Sequence, residues 1–486
     1  MSTDEYDVIV IGGGPAGENA ASYAIAGSDR TAVLVEKELV GGECSYWACM
    51  PSKALLMPGH VLETAAQMPG VQQIVGDSKL DVAAVLARRD SFTHRHDDSS
   101  QVRWAHDTGI DVVRGTGRLT GERTVEVTGQ DGTRTLRARQ AVVLATGTSA
   151  NVPNTPGLRD ALPWTSRDVT NLHTVPRRVV IIGGGVVACE SATWLSALGS
   201  DEITMVVRGG SLLASFETFA TELAAVGLRD RGVRILFGAN LTEVSRPSSE
   251  NTGEGNIHGG EVTVTVGGEQ IVADELVVAA GRTPGSAGLG LSSVGLEDGR
   301  YVDTDDHLTA TGVGGEWLYA VGDINGRAPL THMGKYHARV CGDVIAARAE
   351  GTDLDEARFS ASADHGKIPQ VVFTAPEVAS VGLTEKQAVD RGFDVTIAEV
   401  DIAVAGSSLA RDDFAGHAKL VVDRASNRPI GATFAGSEVG ELIHAATVAV
   451  VGAVPLQALW HAVPSYPTVS EVWLRLLEEH RAKHGS

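Results

Sequence analysis

Cysteine, aromatic residues and positive charge are all in short supply. Four cysteines occur in 486 residues, too few for the disulfide framework of a secreted scaffold. Aromatics make up only 5%. No apolar run reaches the eighteen or so residues that a membrane-spanning helix needs. Lys plus Arg total 40 against 61 Asp plus Glu, a formal charge of −21. A field of that sign repels phosphate backbones and anionic lipid, which argues against nucleic acid and membranes as partners. The chain starts Met1-Ser-Thr-Asp-Glu-Tyr6, acidic before one short apolar strand, unlike the basic-then-apolar order of a secretory signal. The expected compartment is a reducing cytoplasm.

What is present fits a folded protein of about three domains at roughly 150 residues each. Apolar residues are 43% and charged residues 21%, an ordinary globular balance. Glycine is abundant, 57 residues, against a usual share of ~7%, which implies many tight turns or ligand-hugging loops.

The strand Tyr6-Asp-Val-Ile-Val-Ile11 ends in Gly12-Gly13-Gly14-Pro15-Ala16-Gly17, and an Ala-rich helix leads to the strand Thr31–Val35. The unit recurs about 170 residues on, where Arg178-Val-Val-Ile-Ile182 runs into Gly183-Gly184-Gly185, a helix and the strand Glu202–Val207. Such spacing predicts a duplicated α/β module rather than a repeat solenoid. Gly12, Gly14 and Gly17 permit close backbone approach to a pyrophosphate at a helix N-terminus, and Glu36 stands where a carboxylate accepts ribose hydroxyls. In the second module Gly183, Gly185 and Ala188 repeat the pattern, but the corresponding later position is Arg208. A guanidinium there pairs with a 2′-phosphate, so NADPH is favoured over NADH, with a plain solvated surface charge as the alternative. The polar stretch Pro247–Asn256 reads as an exposed hairpin loop, and the change of texture near residue 362 marks a separate C-terminal domain.

Cys44-Ser-Tyr-Trp-Ala-Cys49 is the chemically suggestive pair. Five residues along a regular helix rise about 7.5 Å, beyond the ~5.5–6 Å Cα spacing of a disulfide, so bridging needs a distorted helical turn. A helix N-terminus and a nearby Lys are expected to lower the thiol pKa there. A zinc site is disfavoured because no second ligand pair follows. Cys189 and Cys341 read as buried structural residues. His94-Arg-His96-Asp-Asp98 reads as an exposed polar helix end rather than a metal site. A nicotinamide delivers a hydride whereas a disulfide opens by nucleophilic exchange, and a flavin links the two chemistries. The first module is therefore expected to hold FAD and the second the nicotinamide.

At these residues the chain resembles the pyridine nucleotide-disulfide oxidoreductases, the family of lipoamide dehydrogenase, glutathione reductase and mercuric reductase. Gly41-Gly42-Glu43-Cys44 through Cys49-Met-Pro51-Ser-Lys53 is similar to that family's GGxCxxxxCxPSK. Also similar are Ala145-Thr146-Gly147, Gly281-Arg282-Thr283-Pro284, Tyr319-Ala-Val-Gly322-Asp323 and Val372-Phe-Thr-Ala-Pro376-Glu377. The resemblance implies an α/β fold of two Rossmann-type dinucleotide-binding domains plus a C-terminal α+β dimerisation domain. Its implied boundaries are 1–152 and 285–360 for FAD, 153–284 for NAD(P)H and 361–486 for the interface. It further implies that Cys49 lies against the flavin, that Cys44 exchanges with substrate, and that Lys53 pairs with Glu190 near flavin N5. Gly42, Thr146, Gly147, Gly281, Arg282, Gly322 and Asp323 join the cofactor set. A homodimer follows, the C-terminal domain of one subunit completing the other's site.

One departure stands out. The family's terminal His-Pro-Thr-x-x-Glu is here Tyr466-Pro467-Thr468-Val469-Ser470-Glu471. A phenol with pKa near 10 is a poor base at neutral pH, though it can donate a hydrogen bond. His461 substitutes only if the chain path differs, and Glu471 persists as an orienting carboxylate. No further C-x-x-C or terminal thiol pair is seen, which points away from mercuric reductase and large thioredoxin reductases. The expected activity is NAD(P)H-dependent reduction of a small disulfide or other oxidant through FAD and Cys44–Cys49, in cell redox homeostasis. The alternatives are a flavin-direct quinone or small-oxidant reductase with ancillary cysteines, and a flavin-bound redox sensor with little turnover.

Overall fold

The computed structural model describes residues 3–412 and 414–485. They form two compact units: Met1–Pro51 with Asp90–Ala150 and Arg282–Asp364, and Ser52–Arg89 with Asn151–Gly281 and His365–Ser486. The fold is the mixed α/β architecture expected.

The first unit is built on a seven-stranded sheet. Strand Thr3–Ile11 is central, paired in parallel with Ala32–Glu36 on one side and Gly132–Leu144 on the other. Ile110–Arg114 extends one edge in parallel, Leu318–Ala320 also pairs in parallel with the long strand, and an antiparallel ribbon, Thr116–Gly121 and Thr124–Gly129, completes it. Parallel strands covered on both faces read as unbroken apolar runs, and side chains alternate between the faces. Val8, Val10, Leu34 and Val143 join one core, which includes the helices Pro15–Ile25 and Thr331–Glu350. Ile9, Ile11, Val33, Val35 and Val142 join the core on the opposite face.

The second unit repeats this logic on a smaller scale. Its four-stranded parallel sheet places Arg178–Ile182 between Glu202–Val207 and Glu275–Val278, with Arg234–Phe237 outside. Val179, Ile181, Met205 and Val277 face a core shared with the helices Val186–Ala197 and Thr218–Asp230. Val180, Ile182, Val206, Leu276 and Val278 face another core, shared with a three-stranded antiparallel sheet. The same unit holds a five-stranded antiparallel sheet of the strands between Pro369 and Gly436, packed against the helices Ile443–Val451 and Val472–His484.

Two local expectations change. The polar stretch after Pro247 does join antiparallel strands, but its far end turns inward. His258 is buried and its backbone N–H donates to Glu275 Oε2 at 3.1 Å, while Trp164 Nε1 donates to the Asn256 carbonyl at 2.7 Å. His94–His96 is a tight turn with three successive left-handed residues rather than a simple exposed helix end. His96 lies 5.3 Å from the Trp47 ring, and buried Asp98 accepts from the Val40 N–H at 2.7 Å. Local packing and a buried carboxylate acceptor override the polar composition of that segment. Among the described residues no helix is long and apolar enough to cross a membrane.

Candidate active site

Glycine geometry shapes both nucleotide loops. Gly12 sits at φ +106°, where a side chain is strained, and a Cβ there would lie 2.4 Å from the Ala145 carbonyl oxygen. A Cβ on Gly17 would meet the Gly12 carbonyl oxygen at 1.9 Å, and one on Gly42 the Gly14 Cα at 2.7 Å. The strand end, the helix start and the loop bearing Gly42 are therefore in backbone contact. Around Gly14 the space is open, with nothing closer than 3.9 Å. The helix Pro15–Ile25 has no side-chain cap, so its first N–H groups are available to an anion.

Glu36 closes the loop from the side. Its Oε2 accepts from the Gly13 N–H at 2.6 Å and its Oε1 from the Glu38 N–H at 2.7 Å. Each carboxylate oxygen retains a second lone pair for a ligand hydroxyl. Thr146 Oγ1 is buried with no hydrogen-bond partner among the described residues, a donor awaiting an acceptor. Gly147 follows at φ +64° beside open space. Thr148 Oγ1 donates to Asp323 Oδ2 at 2.7 Å and is held by Arg282 Nε at 2.5 Å, with Gly322 opening the short helix that carries Asp323. A glycine cradle, an uncapped helix, an orphaned hydroxyl and an aligned carboxylate together fit FAD.

The second loop is built alike. A Cβ on Gly183 would lie 2.3 Å from the Ala279 carbonyl oxygen, the space around Gly185 is open, and the helix Val186–Ala197 has no side-chain cap. Ala188, in the first turn of that helix, is fully buried. Arg208 is exposed immediately beyond the strand Glu202–Val207, and Gly281 takes φ +107° after the last strand of that sheet. The loop fits a pyridine nucleotide.

The cysteine pair lies at a break between two helices, Gly42–Tyr46 and Cys49–Ala66, with Trp47 and Ala48 non-helical. That break is the distortion which sequence spacing demands. Both cysteines are partly buried, and their side chains are in hydrogen-bond contact. Cys49 Sγ lies 3.2 Å from Thr331 Oγ1, at the start of the helix Thr331–Glu350.

Here the expected thiol pKa needs correction. The hydrogen bond with Cys49, then burial, then the charge of Cys49 push the Cys44 thiol well above the ordinary cysteine range, outweighing Thr331 and Lys335, which act the other way. Cys189 and Cys341 are fully buried, and burial raises both.

In the second unit Lys53 Nζ donates to Glu190 Oε2 at 2.8 Å and stands 4.7 Å from the centre of the Phe373 ring, while Glu190 Oε1 accepts from the Phe373 N–H at 3.0 Å. Lys53 shares the helix that Cys49 opens. Tyr466 is 76% exposed. Glu471 is buried; its Oε1 accepts from Arg475 Nη2 at 2.6 Å, while its Oε2 has no partner among the described residues. Of the groups around the thiols, sequence reasoning missed Thr331 and Lys335. Nothing in the linear chain marks residue 331 as a neighbour of residue 49, apart from its place a few residues past the Asp323 motif.

Two nucleotide cradles and a contacting thiol pair define a flavin-dependent disulfide oxidoreductase that uses a pyridine nucleotide. The comparisons agree: residues 6–350 match the pyridine nucleotide-disulphide oxidoreductase model and residues 368–476 match that family's dimerisation domain. The chain belongs to the pyridine nucleotide-disulphide oxidoreductase family, whose members are FAD-dependent. It is 31% identical over 471 residues to dihydrolipoyl dehydrogenase of Chlorobaculum tepidum, covering 96% of this chain and 95% of that one. It is 29% identical to mercuric reductase of Bacillus cereus, covering 96% and 70%. In fold it is similar to the HOCl-induced flavoprotein disulfide reductase RclA from Escherichia coli, with TM-score 0.80, 24% identity and coverage of 97% and 99%.

Proposed function

We propose that this protein is a cytoplasmic homodimer that uses NADPH, in preference to NADH, to reduce its Cys44–Cys49 disulfide and then a small disulfide acceptor. The contact between the two thiols carries this reading. FAD, when bound, supplies the hydride-accepting chemistry that a cysteine pair lacks. Residues 1–152 and 285–360 form its domain, 153–284 the nicotinamide domain and 361–486 the interface.

Each residue then has a task. Gly12, Gly14 and Gly17 admit the pyrophosphate, Gly42 closes on that loop, and Glu36 holds the ribose. Thr146, Gly147, Arg282, Gly322 and Asp323 orient the rest of the cofactor. Gly183, Gly185, Ala188 and Gly281 shape the nicotinamide site. Cys49 is the thiolate on the flavin side and Cys44 the exchange thiol. Lys53 and Glu190 supply the fixed charge pair that favours the reduced cofactor. Tyr466 donates a hydrogen bond to the leaving thiolate across the dimer, and Glu471 orients it.

The donor preference rests on Arg208. A charge-assisted hydrogen bond to a 2′-phosphate contributes about 1.5–3 kcal/mol. Arg208→Ala is therefore expected to lower the ratio of kcat/KM for NADPH over NADH by about 10- to 100-fold, and an unchanged ratio removes Arg208 from this role. The acceptor class is tested by NADPH turnover with lipoamide, glutathione disulfide, hydroxyethyl disulfide, quinones and metal ions, before and after alkylating the reduced protein. Disulfide turnover that alkylation abolishes supports the reading. Turnover with quinones alone, unaffected by alkylation, overturns it in favour of direct transfer.

A further inference from the structure

Two bulky side chains, Tyr46 and Trp47, stand between the cysteines, and the exchange chemistry uses neither. Both are buried. Their rings meet edge to face, with centres 5.6 Å apart and planes at 67°. The His96 ring completes a triangle, 5.3 Å from Trp47 at 42° and 6.0 Å from Tyr46 at 86°, spacings at which ring pairs attract. His96 Nε2 is buried with no hydrogen-bond partner among the described residues. Ring packing, rather than that nitrogen, is what this side chain supplies.

Hydrogen bonds close the triangle onto the backbone ahead of Cys44. Tyr46 Oη donates to the Val40 carbonyl at 3.0 Å, and the Val40 N–H donates to Asp98 Oδ2 at 2.7 Å. Arg114 donates to the same Asp98 oxygen and to the Glu38 carbonyl, the latter at 2.7 Å. Asp98 stands two residues after His96, so one turn holds both ends of the segment from Val40 to Trp47, with Cys44 inside it. That turn is strained. His94, Arg95 and His96 take φ +49°, +51° and +59°, a region that L side chains rarely adopt. Such strain persists where surrounding contacts over-determine it, and it clusters at functional sites. Trp47 is also where the helix yields. Its N–H donates to the Glu43 carbonyl at 2.8 Å, its backbone then leaves the helix at φ −132°, ψ 0°, and the next helix opens at Cys49. The placing of Cys44 against Cys49 therefore depends on the backbone of Trp47 and Ala48.

We propose that His96 is a positioning residue for the redox pair: its ring, held against Trp47 by the left-handed turn, fixes the helical break and keeps Cys44 and Cys49 within bonding reach, which stabilises their disulfide. The inference deepens the dithiol reading and rests on it. Two thiols already held in place have little orientational freedom left to lose when the bond closes. Without the ring they regain that freedom, and the disulfide becomes easier to reduce. The reaction that reports this is exchange with dithiothreitol. Its reduced form gives two electrons and two protons to the Cys44–Cys49 disulfide, leaving two protein thiols and the cyclic dithiothreitol disulfide.

The test equilibrates flavin-loaded protein anaerobically in buffers of graded reduced-to-oxidised dithiothreitol ratio, quenches with an alkylating agent and weighs the protein. In His96→Ala the ratio at half reduction is expected to fall about tenfold, a rise in potential of about 30 mV, with flavin still bound at the wild-type level. His96→Phe keeps a ring and drops the unpaired nitrogen, and it is expected to hold the wild-type midpoint. A midpoint in His96→Ala that stays in place or moves the other way overturns the proposal, because a ring that only supports the fold lowers the melting temperature and leaves the midpoint alone. A shift in His96→Phe as large as in His96→Ala also overturns it, since the nitrogen and not the packing would then set the midpoint. Wild type separates the two levels. If its Cys44 and Cys49 never pass between thiol and disulfide, the dithiol reading fails and the role of His96 with it; if they titrate and His96→Ala shares their midpoint, only the role of His96 is refuted.

Discussion

Cys44→Ser is expected to abolish disulfide turnover, by about 10³-fold or more, while the bound flavin is still reduced by NADPH at close to the wild-type rate. A serine hydroxyl is not ionised at neutral pH and forms no stable bond to sulfur, so no exchange begins. Cys49→Ser should fail differently. Cys44 retains its sulfur and can attack substrate, but the group that resolves the mixed disulfide is gone. The protein should accumulate one substrate thiol on Cys44, visible as a mass increase that a reductant removes. Cys189 and Cys341 are fully buried and do not confuse the count. Steady-state turnover with hydroxyethyl disulfide, together with intact mass, checks both outcomes. Equal residual activity in the two variants, with no adduct in either, would contradict the division of labour between the sulfurs.

Gly17→Ala should have the next largest effect. The added methyl would meet the Gly12 carbonyl oxygen at 1.9 Å, far inside contact distance. That oxygen belongs to the backbone, so relief requires the helix start or the strand end to move. Overpacking of this kind destabilises by about 1–3 kcal/mol, and the displacement falls on the turn that admits the pyrophosphate. The variant should purify nearly colourless, its flavin absorbance per protein down about tenfold or more. Gly121→Ala is the control, because no atom lies within 4 Å of a Cβ built there, and it should retain its flavin. A fully loaded Gly17→Ala protein would show that this turn does not grip the cofactor.

The central strands were legible because parallel strands buried on both faces appear as continuous apolar runs, and the alternation of Val10 and Ile11 between opposite cores follows from the strand period alone. The glycine turns were legible because few other residues tolerate such close backbone approach. The Lys53–Glu190 contact spans 137 residues, and no periodicity encodes it; the family motif pointed to it. The break at Trp47 and Ala48 was visible only as a requirement, since spacing said that a regular helix cannot join the thiols but not where it yields. The direction of the Cys44 shift was misread because it arises from its neighbour and from burial: one thiol against another, out of water, outweighs the Thr331 hydroxyl and the Lys335 cation. The contact of Thr331 with Cys49 was invisible, because the two residues stand 282 apart in sequence and meet only in the fold.

Electron counting tests the whole account most directly. Purified, flavin-loaded protein is titrated anaerobically with dithionite, and accessible thiols are alkylated and weighed at each step. If Cys44 and Cys49 are the flavin's redox partner, the oxidised protein takes up two electron pairs per flavin, and two alkylatable thiols appear, both on the peptide that carries these residues. Uptake of a single pair, with no new thiol on that peptide, would contradict it.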